Sequence, residues 1–323
     1  MSVAPTSRRR LLFLRDFQRL QGGHLKVWHY YCHAVAAGWD VGIRFTERSR
    51  WDDTNPWTAT PDGVLLSDHS FPPDAVFLAG RDWEHLPASL GSAPVINLIQ
   101  HVRHADPADT RYAYLSRPAL RICVSPEVAR AIEGTGCVAG PVLVIPDGLD
   151  PSGFPEPCPF EQRPVDICVV ALKQKALGAQ VASRLRSRQQ AVRLLTEHVP
   201  RERFLATLGD ARIVVVLPNR VEGFCLPALE AMALGAIVVI PDVVGNRSFC
   251  IDGVNCLMPE FEEDDVVVAA ERALAFTPRE AEQFRSEAEG VVAKHTLDNE
   301  RAAFHSVLAR LDDLWAVAAQ SVS

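Results

Sequence analysis

Two carboxylates, Glu222 and Glu230, stand eight positions apart around a glycine-led loop, Gly223-Phe224-Cys225-Leu226. The loop follows a β-branched run, Ile213–Leu217, that reads as a buried strand. Pro227 fits the first turn of a short helix, Gly235 fits the position after its end, and Ala236–Ile240 reads as a second buried strand. Strand, loop, helix and strand make one right-handed parallel crossover. In open α/β sheets, ligands bind at such a loop, where a strand ends and a helix begins. The N–H groups of Gly223, Phe224, Cys225 and Leu226 then point at an anion, helped by the helix dipole, and Gly223 lets a phosphate come close. Carboxylates beside an anion repel it, so they need another task. Accepting hydrogen bonds from sugar hydroxyls is one, and a nucleoside diphosphate sugar has that layout of hydroxyls, pyrophosphate and hydroxyls. The plain alternative is a helix start with one glutamate near the dipole and one in solvent.

The whole string E-G-F-C-L-P-A-L-E-A-M-A-L-G-A-I-V-V, from Glu222 to Val239, resembles the E-x7-E segment of retaining GT-B glycosyltransferases, most closely family 4, the glycosyl transferases group 1. The resemblance is strong over 211–259, moderate over 142–150 and weak over 1–140. It implies an α/β chain with the GT-B fold, two Rossmann-like domains facing a cleft. Residues 1–150 would bind the acceptor and 151–164 would form a proline-stiffened linker. Residues 165–295 would hold the nucleotide sugar, and 296–323 would return as a helix onto the first domain. Glu222 would bind the sugar hydroxyls and Glu230 the ribose.

The resemblance also bears on other segments. Family members carry a glycine pair lining the cleft opposite the donor, and Gly22-Gly23 matches it between a candidate strand, Leu11–Leu14, and a helix, Leu25–Ala37. In the family a histidine at a strand end contacts the transferred sugar. His101, after the strand Pro94–Ile99, matches best, with His104 the competing register and Arg103 a further acceptor-side candidate. The segment Ile145-Pro146-Asp147-Gly148-Leu149-Asp150 resembles the family's I-P-N-G-V-D, with Asp147 in the Asn position. The family's diphosphate-holding Arg is absent after the strand Asp166–Leu172, which leaves Lys173 and Lys175 as stand-in cations. Val244 and Ser248 replace a Gly and a Glu usual in the family, which puts that loop's role in doubt.

Composition bounds these readings. The 323 residues are 48% apolar, enough for two cored domains, and the net charge of −7 argues against nucleic acid as a partner. No apolar run approaches a membrane span, and Leu11–Leu14 is too short for a signal peptide core. The eight cysteines are scattered without C-x-x-C spacing, which reads as free thiols in a reducing cytoplasm. Arg8, Arg9 and Arg10 offer either a solvated tail or peripheral contact with anionic lipid at the inner membrane face. Residues 46–63 read as a polar surface loop for the acceptor, a saccharide or lipid-linked molecule. No D-x-D occurs, so no metal and no other cofactor is expected. The expected function is a retaining, metal-independent hexosyltransferase of bacterial-type polysaccharide or glycoconjugate synthesis. A catalytically degenerate sugar-nucleotide-binding subunit and a GT-B-type phosphorylase or epimerase remain alternatives. No G-x-G-x-x-G follows a candidate strand, which argues against a dehydrogenase.

Overall fold

The computed structural model describes residues 8–19, 21–60, 71–90 and 92–320. Residues 61–63 of the expected polar loop lie outside the described residues. The chain divides into two compact units, Met1–Pro146 with Asp298–Ser323, and Asp147–Leu297.

Unit 1 is built on six strands: β1 (Arg10–Arg15), β2 (Asp40–Phe45), β3 (Ala75–Ala79), β4 (Val95–Ile99), β5 (Leu120–Cys123) and β6 (Val142–Val144). They pair in parallel in the order β2-β1-β3-β4-β5-β6. β3 and β4 are buried along their whole length, as expected of continuous apolar runs covered on both faces. Helices α1 (Gly22–Ala36) and α2 (Pro126–Glu133) belong to this unit. Ser125 caps α2 by accepting the Val128 N–H at 3.3 Å. The last helices, α8 (Leu297–Ala309) and α9 (Leu311–Gln320), pack here too. Phe304 meets the rings of Tyr30 and Phe77, and Glu300 is buried against Lys26 and His33 of α1. Arg9 pairs with Asp312 at 2.8 Å and lies over Trp39, while Arg10 lies in β1 beside Asp40.

Unit 2 has β7 (Val165–Val170), β8 (Val192–Leu195), β9 (Ala211–Val216), β10 (Ile237–Val239) and β11 (Cys256–Leu257). Their parallel order is β11-β10-β9-β7-β8, so the order reverses between β7 and β9. That reversal is a topological switch point, and the crevice at its carboxyl edge is the usual ligand site of doubly wound sheets. The helices are α3 (Lys175–Ser187), α4 (Arg201–Gly209), α5 (Leu226–Ala233), α6 (Glu263–Leu274) and α7 (Pro278–Val292). Gly235 closes α5 at φ +68°, a left-handed position that glycine takes without strain.

Residues 151–164 pack against the rest of unit 2. Phe160 enters the core of unit 2, and the Arg163 guanidinium donates to the carbonyls of Cys158, Ala211 and Leu234. The strands entering and leaving the unit lie side by side. Leu149 N–H donates to His295 O at 2.8 Å, and Leu297 N–H donates to Leu149 O at 2.8 Å. A methyl group on Gly148 would stand 2.3 Å from Thr296 O, so this crossing needs a glycine.

Candidate functional site

In unit 2 the carboxyl edge gathers the residues that follow β7, β8 and β9. Lys173 follows β7, Arg201 opens α4 after β8, and Glu222 follows β9. Lys173 Nζ donates to both Glu222 oxygens, at 2.8 and 2.7 Å, across the switch point. The Glu222 side chain is 14% exposed and that of Lys173 48%. The acid also accepts the Asn219 N–H at 3.4 Å. Lys175 does not join them. As the first residue of α3 it turns to Glu197, beyond β8, at 2.5 Å. β8 lies on the far side of β7 from β9, so of the two lysines only Lys173 reaches the loop.

The loop itself departs from the expected row of four free amides. Cys225 N–H donates to Gly245 O at 2.9 Å and is committed. Phe224 N–H and Leu226 N–H have no acceptor among the described residues. Pro227 has no N–H, and Ala228 N–H goes back to Cys225 O. The Phe224 ring turns inward onto Phe249 and His295, at centroid distances of 5.1 and 5.9 Å. Burial pushes the Cys225 thiol up to about 12, so it stays protonated and inert. Gly223 is buried within the loop. Behind it, Gly245 approaches so closely that a methyl there would lie 2.9 Å from Phe224 N and 3.0 Å from the Glu222 backbone. The segment after β10, which departs from the family pattern at Val244 and Ser248, thus supports the loop from below.

Glu230 differs from its expected setting. Its side chain is 3% exposed, and Oε1 meets Arg201 Nη1 at 2.7 Å. Burial pushes its carboxyl upward, and the guanidinium opposes that shift. Of this ion pair, Arg201 is the more exposed member, 36% against 3%. Sequence spacing gave no sign of Arg201, a single arginine after Pro200 at a helix start.

In unit 1, β1, β3 and β4 end near Gly22, Gly23, His24, Gln100 and His101. Gly22 and Gly23 lie inside the first turn of α1 and not in a loop before it, a correction that lengthens the helix by three residues at its start. Gln100 Nε2 donates to Gly23 O at 3.2 Å, which brings the glycine pair beside the end of β4. His101 caps a 3₁₀ turn, its Nδ1 accepting the Arg103 N–H at 3.1 Å, so the ring proton sits on Nε2. Arg103 is exposed. His104 is not at the edge. It is buried, and burial and then Arg111 hold it down to about 3 as a neutral ring.

A cluster that sequence reading passed over lies beside the glycine pair. Arg15, the last residue of β1, donates Nη1 to Asp82 at 2.7 Å and Nε to His24 Nδ1 at 3.1 Å. A guanidinium only donates, so His24 also carries its proton on Nε2. Burial, with Arg15 adding to it, lowers His24 to about 3.

Comparisons with known proteins bear on the fold. Residues 162–275, from the end of the 151–164 segment through α6, match the sequence profile described as Glycosyl transferases group 1. No curated protein sequence matches the chain significantly. Among solved structures, the chain is similar to a sucrose-phosphate synthase from Thermosynechococcus elongatus, with TM-score 0.73 and 15% identity over 95% of this chain and 100% of that one. It is similar to HepE from Anabaena in complex with UDP-glucose, with TM-score 0.73 and 14% identity over 93% of this chain and 99% of that one. A UDP-forming trehalose-phosphate synthase from Burkholderia vietnamiensis matches at TM-score 0.64 and 14% identity, over 97% and 99% of the two chains. At these identities the likeness establishes the fold, which is that of GT-B glycosyltransferases. No helix among the described residues is long and apolar enough to cross a membrane.

Proposed function

We propose that the chain transfers a sugar from a nucleoside diphosphate sugar to an acceptor hydroxyl, with retention at the anomeric carbon. The observation that carries this reading is the Lys173–Glu222 pair at the switch point of unit 2, beside the start of α5. A cation for the diphosphate and a carboxylate for sugar hydroxyls stand within hydrogen-bond reach of each other. The family profile over 162–275 supports the same reading.

In this mechanism Glu222 accepts hydrogen bonds from the hydroxyls of the transferred sugar. Lys173 and the amides of Phe224 and Leu226 face the leaving diphosphate, whose charge grows as the anomeric C–O bond breaks. The transition state is oxocarbenium-like, as in glycoside hydrolysis. The acceptor attacks on the face that the leaving group vacates, and the departing phosphate takes its proton. Charge on the leaving group is offset by side chains and main-chain amides, without a metal. Unit 1 binds the acceptor, a saccharide or lipid-linked hydroxyl, with His101 the candidate for contact with the transferred sugar.

A second reading, a sugar-nucleotide-binding subunit without turnover, is favoured by the sealed Glu230 and the diverted Lys175. A thermal-shift screen of UDP-, GDP- and dTDP-sugars, followed by a donor-turnover assay, separates the two. UDP-glucose is the first donor to try, since HepE holds it. Bound donor raises the melting point by mass action. Binding with turnover supports the transferase, binding without turnover supports the subunit, and no binding of any donor refutes both.

A further inference from the structure

Arg201 is the least expected group at the carboxyl edge of unit 2. It opens α4, and its Nη1 is anchored on the buried Glu230 at 2.7 Å. Side chains on a helix lean toward its amino end, so Glu230, one turn into α5, leans toward the loop 222–226. Arg201 opens α4, so the contact lies near the amino ends of two helices that start at this edge. Arg201 is 36% exposed and lies over the Phe154 ring at 5.9 Å. Its Nε and Nη2 have no hydrogen-bond partner among the described residues.

The other cations of this edge are differently placed. Lys173 is held by both oxygens of Glu222, and Lys175 lies against Glu197. Arg220 turns to Phe261 and Glu262, and Arg247 is bidentate on Asp242. Their carboxylate partners are all more exposed than Glu230, at 14% to 75% against 3%. Arg201's partner alone among these is withdrawn from water, so what a ligand meets there is guanidinium.

Resting on the donor reading above, we propose that Arg201 is a diphosphate-binding residue, held by Glu230 so that its free N–H edge faces the phosphates of the nucleotide. It supplies the planar cation that is missing after β7, from a different helix. A guanidinium pairs with phosphate oxygens through two parallel N–H bonds, which a lysine cannot do. Glu230 is then a positioning residue.

Calorimetry with UDP, UMP and uridine tests this on the full chain. Arg201→Ala should weaken UDP at least tenfold and leave uridine within about twofold, because uridine has no phosphate to lose. Arg201→Lys should fall between, keeping charge without the fork. Removing one member of a buried pair strands the other charge, so Arg201→Gln with Glu230→Gln provides a variant without a stranded charge. That double variant should melt near the wild type and still lose UDP affinity. Wild-type UDP affinity in a folded Arg201→Ala protein overturns the proposal and leaves the donor reading standing. So does an equal loss for uridine and UDP, which would mark a ribose contact or a distorted pocket. A wild-type chain that binds no nucleotide refutes the donor reading, and this proposal with it.

Discussion

Arg15 in unit 1 and Lys173 in unit 2 both stand at the carboxyl end of the first strand of a parallel sheet, and they meet different fates. Arg15 is buried, and its donors are taken by Asp82 and by the neutral ring of His24. Lys173 stays half exposed, and Arg201 is a third exposed. The two sheets share the same turn of topology, with the second strand placed outside the first, so the scaffold alone does not set this difference. Unit 1 withdraws its charge into an ion pair with Asp82. Unit 2 holds its cations on carboxylates but keeps them wet, which suits phosphates.

The comparison breaks most visibly at Glu222. Glu222→Ala should lower kcat on the order of 10²–10³, since hydrogen bonds to sugar hydroxyls that strengthen in an oxocarbenium-like transition state supply several kcal/mol, while nucleotide affinity changes little. Lys175→Ala is the control. Its pair with Glu197 is exposed on both sides and lies beyond β8, so donor turnover should stay within about twofold of wild type. Equal losses from the two variants in steady-state kinetics would mean that the edge works as a diffuse cationic field and not through the 173–222 contact.

A smaller effect is expected one layer below. Gly245→Ala would drive a methyl against Phe224 N and the Glu222 backbone, with separations of 2.9 and 3.0 Å before relaxation. Both neighbours are main chain and cannot swing aside, so the loop must move. Donor kcat/KM should drop about tenfold, since sub-ångström misplacement of a positioning group is costly. Stability should fall by about 1–3 kcal/mol, the common cost of overpacking. Unchanged kinetics would show that the loop takes up its working shape only on binding.

What could be read in advance follows a physical line. The crossover from Ile213 to Ile240 was legible because β-branched runs, a first-turn proline and a closing glycine all agree on one structure. β8 was not, because Val192–Leu195 is a short edge strand, only partly buried and carrying Arg193, so it lacks the apolar run of its neighbours. Five prolines between 151 and 164 suggested a spacer, yet Phe160 and Arg163 tie that stretch into unit 2, and single buried residues leave no periodic trace. The contact of Glu222 with Lys173 joins two residues singled out by motif. The capture of Glu230 by Arg201 was not legible, since an ion pair between two helices has no fixed spacing in sequence.

Acid should separate the units by a margin smaller still in its effect on function. His24 and His104, both in unit 1, are neutral when folded, with values near 3, against an ordinary 6.5 in the unfolded chain. Between those values the unfolded chain binds more protons, so their contribution is present above about pH 6.5 and is lost as pH falls toward 3. Each contributes up to about 1.4 kcal/mol per pH unit in that window. Asp82, whose carboxyl burial raises, acts against them in unit 1, and Glu230 has the opposite sign in unit 2, being favoured as pH falls. All six tryptophans (Trp28, Trp39, Trp51, Trp57, Trp83 and Trp315) lie in unit 1, so their fluorescence follows that unit alone. From pH 7 to pH 5 the fluorescence-detected melting point should fall more than that of the far-UV dichroism, which sees both units. His104→Leu should flatten the fluorescence slope, because a buried leucine has no proton to gain. Coincident shifts in wild type and variant would show that the units unfold as one and that buried imidazoles do not set the acid limit.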